Sequence, residues 1–217
     1  WLRHLLDDHA QRRHALAANQ RNRQEPSMMT IEKFGIEGPI LFTPKLINDD
    51  RGFFYESWNV NNFASSLGVE PAVAPVFQQD NHSQSKQGVL RGLHYQLLPE
   101  PQGKLVRCSA GAIFDVAVDV RRSSPTFGKW VGAELSADNH KQLWVPVGFA
   151  HGFLTLSESA DVLYKASGLW NRSCERSLLW NDPAIGIEWP LDLLNGPPLL
   201  SDKDADAPML EHAEVFA

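Results

Sequence analysis

Apolar and polar positions alternate along most of the chain beyond residue 30, and this pattern predicts a β-rich domain. In the segment 113–120, one alternate set of positions holds a phenylalanine and three valines, while the other holds an isoleucine, an alanine and two aspartates. Side chains of a strand point to opposite faces with a period of two residues. The segment 113–120 is therefore predicted to be a strand.

Short strand-like segments at close spacing predict a sandwich or barrel. Two of them follow the first strand, at 130–135 and 142–146. We expect two more, 153–156 and 162–166, to pair as a hairpin, because the polar turn 157–161 separates them.

Helical signals are sparse in this β-rich region. A short helix is predicted at 62–67, with Asn61 as its N-cap and Gly68 just past its end. No long helical pattern alternates with the strands, which argues against a parallel α/β domain. The segment 183–208 is rich in proline, aspartate and glycine and predicts a loop-dominated wrap over the core.

The N-terminal residues differ from the rest of the chain. Leucines recur at helical spacing over 2–16, and polar residues with Pro26 then break the pattern. Residues 1–30 hold five arginines and three acidic residues, a net charge of +2, so the remainder carries −8. An expression leader, an upstream in-frame translation and a dispensable helix are all compatible with this pattern. We therefore expect a helical extension without assigned function over 1–29 and one β domain over 30–217.

Charge and composition narrow the classes of partner. The chain has 217 residues, a net charge of −6 and a sequence pI of about 5.7. This charge makes nucleic acid a poor partner, and the apolar runs are too short to span a bilayer. The only two cysteines, Cys108 and Cys174, cannot form a disulfide framework or a four-thiolate zinc site. We expect a cytoplasmic protein in which any anion site is a local basic cluster.

Two clusters of polar residues are hard to explain as packing. Arg51 and Glu56 bracket an aromatic run, and taken alone this pattern favours a surface salt bridge at a strand start over a binding site. The polar segment 79–83 precedes Arg91 and His94, which are three residues apart and would point to opposite faces of a regular strand. A bend at the intervening glycine would bring both side chains to one pocket.

Two further clusters contain single chemically active residues. Lys104 precedes an apolar strand, where an inward ammonium is costly unless it is paired or used; an edge-strand lysine facing water is the alternative. His151 lies in a P-x-G-x-x-H pattern typical of the second half of the cupin metal motif. The first half would need H-x-H, but 94–96 reads His-Tyr-Gln and Glu100 falls beyond a proline. This incomplete ligand set predicts a cupin barrel without its metal.

Together these segments resemble the dTDP-4-dehydrorhamnose 3,5-epimerase family, which consists of cupin-like sugar-nucleotide epimerases. The resemblance runs in family order from about residue 30 to residue 210. The matching segments are RGFFYESW, FQQDNHSQSKQGVLRGLHYQ, QGKLVRCSAGAIFDVAVDVRRSSPTFGKWVG, QLWVPVGFAHGFLTLSE, YKAS, LLWNDPAIGIEWP and LSDKDADAP. The resemblance implies an all-β, cupin-type jelly-roll barrel with a few short helices, beyond the helical extension.

The resemblance also implies a chemistry that needs no cofactor. A C4 ketone acidifies the protons on C3 and C5; a base removes one, and an acid reprotonates the opposite face of the enolate. His94 would be the base, Asp204 its orienting partner and Tyr164 the proton donor. Lys104 would stabilise the enolate oxygen.

The remaining implied roles concern binding of a dTDP-sugar in a homodimer. Arg91 and His151 would contact the diphosphate. Other implied contacts to the nucleotide and sugar come from Gln79, Asp80, Asn81, Arg51, Glu56, Glu175 and Lys203, with Arg51 and Glu56 reaching across the dimer interface.

One segment departs from the family pattern. Where the family often has a pair of tyrosines, this chain has Leu169 and Trp170, of which only Trp170 can stack on a thymine ring. This difference leaves epimerisation at C3 only, epimerisation at C5 only and a 3,4-ketoisomerase open as alternatives. A metal-dependent cupin enzyme and a non-catalytic sugar-binding cupin are the more distant alternatives.

Overall fold

Two antiparallel β-sheets face each other in the computed structural model of the chain, which describes residues 29–217. The strands are β1 (Met29–Lys33), β2 (Ile40–Pro44), β3 (Ile47–Asp49), β4 (Gly52–Phe54), β5 (Gln79–Lys86), β6 (Leu90–Gln96), β7 (Lys104–Ala110), β8 (Ala112–Asp119), β9 (Trp130–Ser136), β10 (Gln142–Val145), β11 (Phe149–Thr155), β12 (Ser159–Ala166) and β13 (Glu175–Ser177). The helices are α1 (Val60–Leu67), α2 (Asp202–Ala205) and two 3₁₀ turns at Pro71–Val73 and Leu191–Leu193.

The strand order is that of a double-sheet β fold. The six-stranded sheet has the order β1-β2-β10-β7-β12-β5, the five-stranded sheet has the order β13-β6-β11-β8-β9, and β3 pairs with β4 as a separate hairpin. The predicted all-β jelly-roll architecture is confirmed. The predicted N-terminal extension, residues 1–29, lies outside the described residues except for Met29, which begins β1. No helix of the described part is long and apolar enough to cross a membrane.

The strand predicted over 113–120 is confirmed as β8, and both of its faces are buried. Ile113 and Ala117 belong to the core between the two sheets, whereas Val116 and Val118 belong to a second apolar cluster on the outer face of the five-stranded sheet. The C-terminal wrap covers that outer face with side chains such as Trp189. The predicted wrap therefore seals a face that a two-layer sandwich would leave exposed.

The hairpin predicted across the turn 157–161 is wrong. β11 pairs with β6 and β8 in one sheet, whereas β12 pairs with β5 and β7 in the other. A polar turn shows that the chain reverses direction, but it does not show which sheet the chain enters next. Here the chain crosses between the sheets and closes one end of the barrel.

Helix α1 begins two residues earlier than predicted, and its N-cap is Asn59 rather than Asn61. The Asn59 side chain accepts backbone hydrogen bonds from Asn61 at 2.9 Å and from Asn62 at 3.4 Å, which satisfies two free N–H groups of the first turn. The predicted end is confirmed, because Gly68 has a φ of 72°.

Candidate active site

A cavity of about 410 Å³ opens between the sheets and brings together seven of the predicted site residues. These residues are Arg91, His94, Lys104, His151, Tyr164, Lys203 and Asp204. They come from β6, β7, β11, β12 and α2, so both sheets and the C-terminal wrap contribute to one pocket.

A bend in β6 places Arg91 and His94 in this cavity, as predicted. Gly92 has a φ of 119°, and the pairing with β11 shifts register between His151 and Phe153. A Cβ atom on Gly92 would lie 2.6 Å from the Cα of Gly152. Both positions therefore need glycine, because the two backbones touch where the bulge turns the strand.

His94 and Asp204 form a close pair at the mouth of the cavity. His94 Nε2 lies 2.6 Å from Asp204 Oδ1. The imidazole is 28% exposed, whereas the carboxylate is almost completely buried. With Nε2 hydrogen-bonded to a carboxylate, Nδ1 is the ring nitrogen that can accept a proton. Burial lowers the pKa of His94 below its ordinary value, and the Asp204 carboxylate opposes this effect.

The position of Asp204 depends on the short helix α2. Ser201 caps this helix, its hydroxyl accepting a hydrogen bond from the Asp204 backbone at 3.3 Å. Burial acts to raise the pKa of Asp204, but hydrogen bonds from His94, Ser201 and the Gly92 backbone outweigh it and hold the pKa below its usual range. The carboxylate is thus charged at neutral pH and stabilises an imidazolium on His94.

A second histidine–aspartate pair lies deeper, between β11 and β8. His151 Nε2 is 2.7 Å from Asp115 Oδ1, and Asp115 is 0% exposed. Asp115 Oδ2 has no hydrogen-bond partner within residues 29–217. The predicted set of site residues did not include Asp115. Asp115 shares the inward face of β8 with the apolar residues Ile113 and Ala117. A charged residue at such a position could have been recognised from the sequence as a candidate site residue.

Lys104 points inward from the centre of the six-stranded sheet, so the edge-strand alternative is wrong. β7 lies between β10 and β12, and Lys104 is only 8% exposed. Its Nζ donates a hydrogen bond to the His94 carbonyl at 3.2 Å. Burial lowers the pKa of Lys104 to about 8, although Asp115 and Glu175 favour the charged form. The cavity therefore holds an ammonium that is mostly charged at neutral pH and loses its proton as the pH rises through about 8.

Tyr164 reaches the cavity from β12, in the sheet opposite to that of His94. Burial raises the pKa of its phenol, and the Arg91 guanidinium opposes this shift. The hydroxyl is therefore protonated at neutral pH and can donate a proton.

Arg91 lies in the cavity beside β5. Its Nε donates to Ser85 Oγ at 2.9 Å, and its Nη2 donates to the Gln84 carbonyl at 3.2 Å. Another hydroxyl of the cavity wall, Ser83 Oγ, is buried without a partner in the described part of the chain. A guanidinium next to hydroxyl groups is suited to binding an anion.

The structure separates the three predicted residues of β5. Gln79 and Asn81 are joined by a side-chain hydrogen bond of 2.9 Å, and Asn81 pairs with Tyr164 on the inward face. Asp80 points to the opposite face, where its 71% exposed side chain binds Lys165 at 3.0 Å. Strand alternation turns Asp80 away from the cavity that holds His94, but Asp80, Asn81 and Tyr164 all line a second, neighbouring pocket.

Lys203 lines the cavity, whereas Trp170 and Glu175 lie outside its lining residues. Glu175 Oε2 lies 2.8 Å from Lys203 Nζ. Burial acts to raise the pKa of Glu175, but Lys203 outweighs it and holds the pKa below its ordinary value. Trp170 is 55% exposed.

Arg51 and Glu56 lie outside the cavity, near the β3–β4 hairpin. Arg51 binds Asp49 rather than Glu56, with its Nε 3.1 Å from Asp49 Oδ2. Glu56 accepts side-chain hydrogen bonds from Asn59 and Asn62. The salt bridge that would have explained this pair by itself is therefore not formed.

The described residues contain no cluster of three or more His, Cys, Asp or Glu side chains arranged to hold a metal ion. His94 and His151 are directly opposite each other across β6 and β11. Each ring is bound to its own carboxylate, from Asp204 or Asp115.

Comparisons with known proteins show which family this sequence resembles. The family model for dTDP-4-dehydrorhamnose 3,5-epimerase matches residues 33–212. The dTDP-4-dehydrorhamnose 3,5-epimerase of Salmonella typhimurium is 55% identical over 186 residues, which cover 86% of this chain and 98% of the relative.

Two solved structures share the fold. The crystal structure of dTDP-6-deoxy-D-glucose-3,5-epimerase from Legionella pneumophila, in complex with dTDP-4-keto-L-rhamnose, has a TM-score of 0.79 and 46% identity and covers 85% of this chain and 94% of its own. A 3'-monoepimerase from Streptomyces bikiniensis, in complex with dTDP-quinovose, has a TM-score of 0.75 and 34% identity, covering 83% of this chain and 87% of its own.

Proposed function

This chain belongs to the dTDP-4-dehydrorhamnose 3,5-epimerase family, and on that premise we propose how its cavity performs the reaction. The chain is an isomerase that converts dTDP-4-dehydro-6-deoxy-D-glucose to dTDP-4-dehydro-L-rhamnose in dTDP-rhamnose biosynthesis. The observation that carries the proposed mechanism is that the His94–Asp204 pair and Tyr164 enter one cavity from opposite sheets.

His94 is the general base. The C4 ketone acidifies the C–H bonds at C3 and C5, and Nδ1 of His94 takes the proton while the electron pair moves onto the ketone oxygen as an enolate. The Asp204 carboxylate, 2.6 Å from Nε2, stabilises the imidazolium that results. A positioned base of this kind contributes about 10²–10⁴-fold in rate.

Tyr164 is the general acid. A sugar ring bound between the sheets has His94 on one side and Tyr164 on the other, so a proton lost to one group is replaced from the opposite face. The phenol proton moves to carbon, the enolate returns to the ketone, and the stereocentre is inverted. The raised pKa of Tyr164 keeps this proton in place at neutral pH.

Lys104 stabilises the developing enolate oxygen. Its buried ammonium acts in a cavity from which water is largely excluded, where one fixed charge is worth more than in water. Because the pKa of Lys104 is about 8, the charged form dominates at neutral pH.

The remaining site residues bind the nucleotide. Arg91 and His151 contact the diphosphate, Gln79 and Asn81 line the sugar end, and Trp170 stacks on the base. Glu175 and Lys203 contact the ligand at the mouth of the cavity.

The active assembly is a cytoplasmic homodimer of the 30–217 domain. Phe53 and Phe54 of the β3–β4 hairpin are more than half exposed, which gives a second copy an apolar surface to cover. Arg51 and Glu56, which lie beside this surface, then reach the partner's nucleotide, and Asp80 acts at the same interface. Light scattering of the purified chain tests the assembly, and a monomeric mass would contradict it.

The direct test of the reaction is proton exchange. When the enzyme is incubated with dTDP-4-dehydro-6-deoxy-D-glucose in D₂O, we expect NMR to show deuterium at both C3 and C5. Deuterium at C3 alone would instead indicate a mono-epimerase, as in the Streptomyces bikiniensis relative, with Leu169 and Trp170 as the first residues to exchange for tyrosine. If deuterium appeared at neither C3 nor C5, the proposed reaction would be contradicted.

Tyr164→Phe separates the two half-reactions. Without the phenol, His94 still removes a proton, but reprotonation from the opposite face is lost. We expect deuterium wash-in with retention of configuration and a fall in product formation of about 10²-fold or more. Unchanged product formation would contradict the role of Tyr164 as acid.

A further inference from the structure

An ion pair joins the helix that carries Asp204 to the edge of the five-stranded sheet. Glu175 begins the edge strand β13, and Lys203 lies on α2. Glu175 Oε2 lies 2.8 Å from Lys203 Nζ. The Glu175 carboxylate therefore connects β13 to α2.

Helix α2 needs such a contact. It has four residues, which is too short for a helix to be stable by itself in water. The chain is held on each side of it, by the Leu199 bridge to Val89 and by the hydrogen bond from the Leu179 N–H to the Pro208 carbonyl. Apart from the His94–Asp204 contact, Lys203–Glu175 is the only ion pair that α2 makes with residues 29–217.

Strand β13 provides a fixed attachment. Glu175 pairs with Gln96 of β6, and its backbone N–H donates to the Asn171 carbonyl at 3.1 Å. The Asn171 N–H in turn donates to Gln96 Oε1 at 2.8 Å. The backbone of Glu175 is therefore held in place, and its carboxylate can hold Lys203.

We propose that Glu175 is a positioning residue of this epimerase, which binds Lys203 and thereby holds α2 so that Asp204 stays in contact with His94. The inference rests on the proposed role of His94 as the base. It gives Glu175 and Lys203 a function beyond contact with the ligand.

The charges around His94 make this function measurable. The titratable and charged groups that face it from the surrounding elements are Asp204 and Lys203 on α2, Lys104 on β7, Glu175 on β13, His151 on β11, Asp115 on β8, Tyr164 on β12 and Arg91 on β6. The Asp204 contact raises the pKa of His94 more strongly than Lys203 lowers it. Loss of the Asp204 contact therefore outweighs the removal of the Lys203 charge.

The kinetic test compares Glu175→Gln and Lys203→Met with a matched control. We expect kcat to fall by about tenfold to a hundredfold in both variants with little change in KM, because a small misplacement of a catalytic group can cost about 10²-fold. Lys203→Arg keeps the ion pair and should retain most of the kcat. The control is Glu214→Gln, which removes the 2.7 Å ion pair to the next residue of the same edge strand, Arg176, and should leave kcat unchanged.

The second readout is the pKa of His94, measured by NMR titration of histidine-labelled protein and assigned with His94→Asn. If Glu175 and Lys203 act through Asp204, both Glu175→Gln and Lys203→Met lower the pKa of His94. If Lys203 affects His94 only through its charge, Lys203→Met raises the pKa of His94, because a nearby positive charge is removed. A rise in Lys203→Met would therefore overturn the proposal.

The outcomes separate this proposal from the proposed reaction. A higher KM with unchanged kcat and unchanged His94 pKa would mean that Glu175 and Lys203 only contact the ligand, which overturns the positioning role. The NMR titration needs no substrate. If the wild-type enzyme showed no turnover, the reaction would be contradicted, while lowered His94 pKa values in both variants would still support the role of Glu175.

Discussion

The two histidine–aspartate pairs of the cavity contain the same side chains but differ in how the fold holds them. In the His151–Asp115 pair both residues lie on neighbouring strands and both are buried. In the His94–Asp204 pair the imidazole is partly open to the cavity and the carboxylate comes from the C-terminal wrap. A partly exposed imidazole with a buried, charged partner is suited to proton transfer. An imidazole buried between two strands is suited to binding a ligand and to stabilising the barrel.

The largest expected difference between the pairs is in turnover. His94→Asn should lower kcat by about 10²–10⁴-fold, because the base is lost. His151→Asn should act mainly on KM, because His151 contacts the ligand but moves no proton in the proposed mechanism. Steady-state kinetics of the two variants tests this difference. Equal losses of kcat would show that the pairs share the chemistry.

The next difference is in stability, and it has the opposite order. His151→Ala removes the one side-chain hydrogen bond that the fully buried Asp115 makes within residues 29–217, which should cost about 1–3 kcal/mol in the free energy of unfolding. His94→Ala should cost less, because Asp204 keeps its hydrogen bonds from Ser201 and the Gly92 backbone. Urea denaturation of both variants measures the difference. A larger loss in His94→Ala would contradict this comparison.

The pH dependence of kcat/KM should reflect the protonation of His94 and of Lys104. The base must be neutral, so activity falls as the pH drops through the pKa of His94, which lies below its ordinary value. Lys104 must be charged, so activity also falls as the pH rises through about 8. We expect a bell-shaped profile with limbs of about tenfold per pH unit.

Lys104→Arg tests the alkaline limb of this profile. A guanidinium keeps its charge throughout the accessible pH range, so the limb near pH 8 should disappear even if kcat is reduced. Persistence of the limb would assign it to another group.

The smallest expected effect concerns helix α2, which carries Asp204 of the His94–Asp204 pair and no residue of the His151–Asp115 pair. Ser201→Ala removes the N-cap of α2, a loss of about 1 kcal/mol, which corresponds to about a fivefold fall in kcat if it is expressed in the position of Asp204. Ser201→Thr keeps a capping oxygen and serves as the control. No change in kcat for Ser201→Ala would show that the flanking contacts are sufficient to place Asp204.

The sequence was informative where chemistry and local pattern coincide. The strand over 113–120 followed from alternation, and Gly92 indicated where a bend between Arg91 and His94 could form. The cost of a buried charge left two positions open for Lys104, inward or on an edge strand, and the structure shows the inward one. Pairing His94 with Asp204 needed the resemblance to a known family, because 110 residues separate the two.

Other features could not be predicted from local pattern. The crossing between β11 and β12 depends on which strands are available in each sheet, and that is set by the whole fold. The N-cap Asn59 competes with two nearby asparagines of equal propensity. The outward direction of the Asp80 side chain does follow from local pattern, because its neighbours Gln79 and Asn81 are on the opposite face of the same strand.

The separation of His94 from Asp204 along the chain has a consequence for how folding is observed. Both sheets of the barrel are complete in sequence once β13 has been made, but the catalytic pair exists only after the later wrap has docked on the outer face. In a refolding experiment, far-UV circular dichroism therefore reports on formation of the sheets, while recovered turnover also requires the docked wrap. A lag between these signals would measure the lifetime of an assembled but inactive barrel.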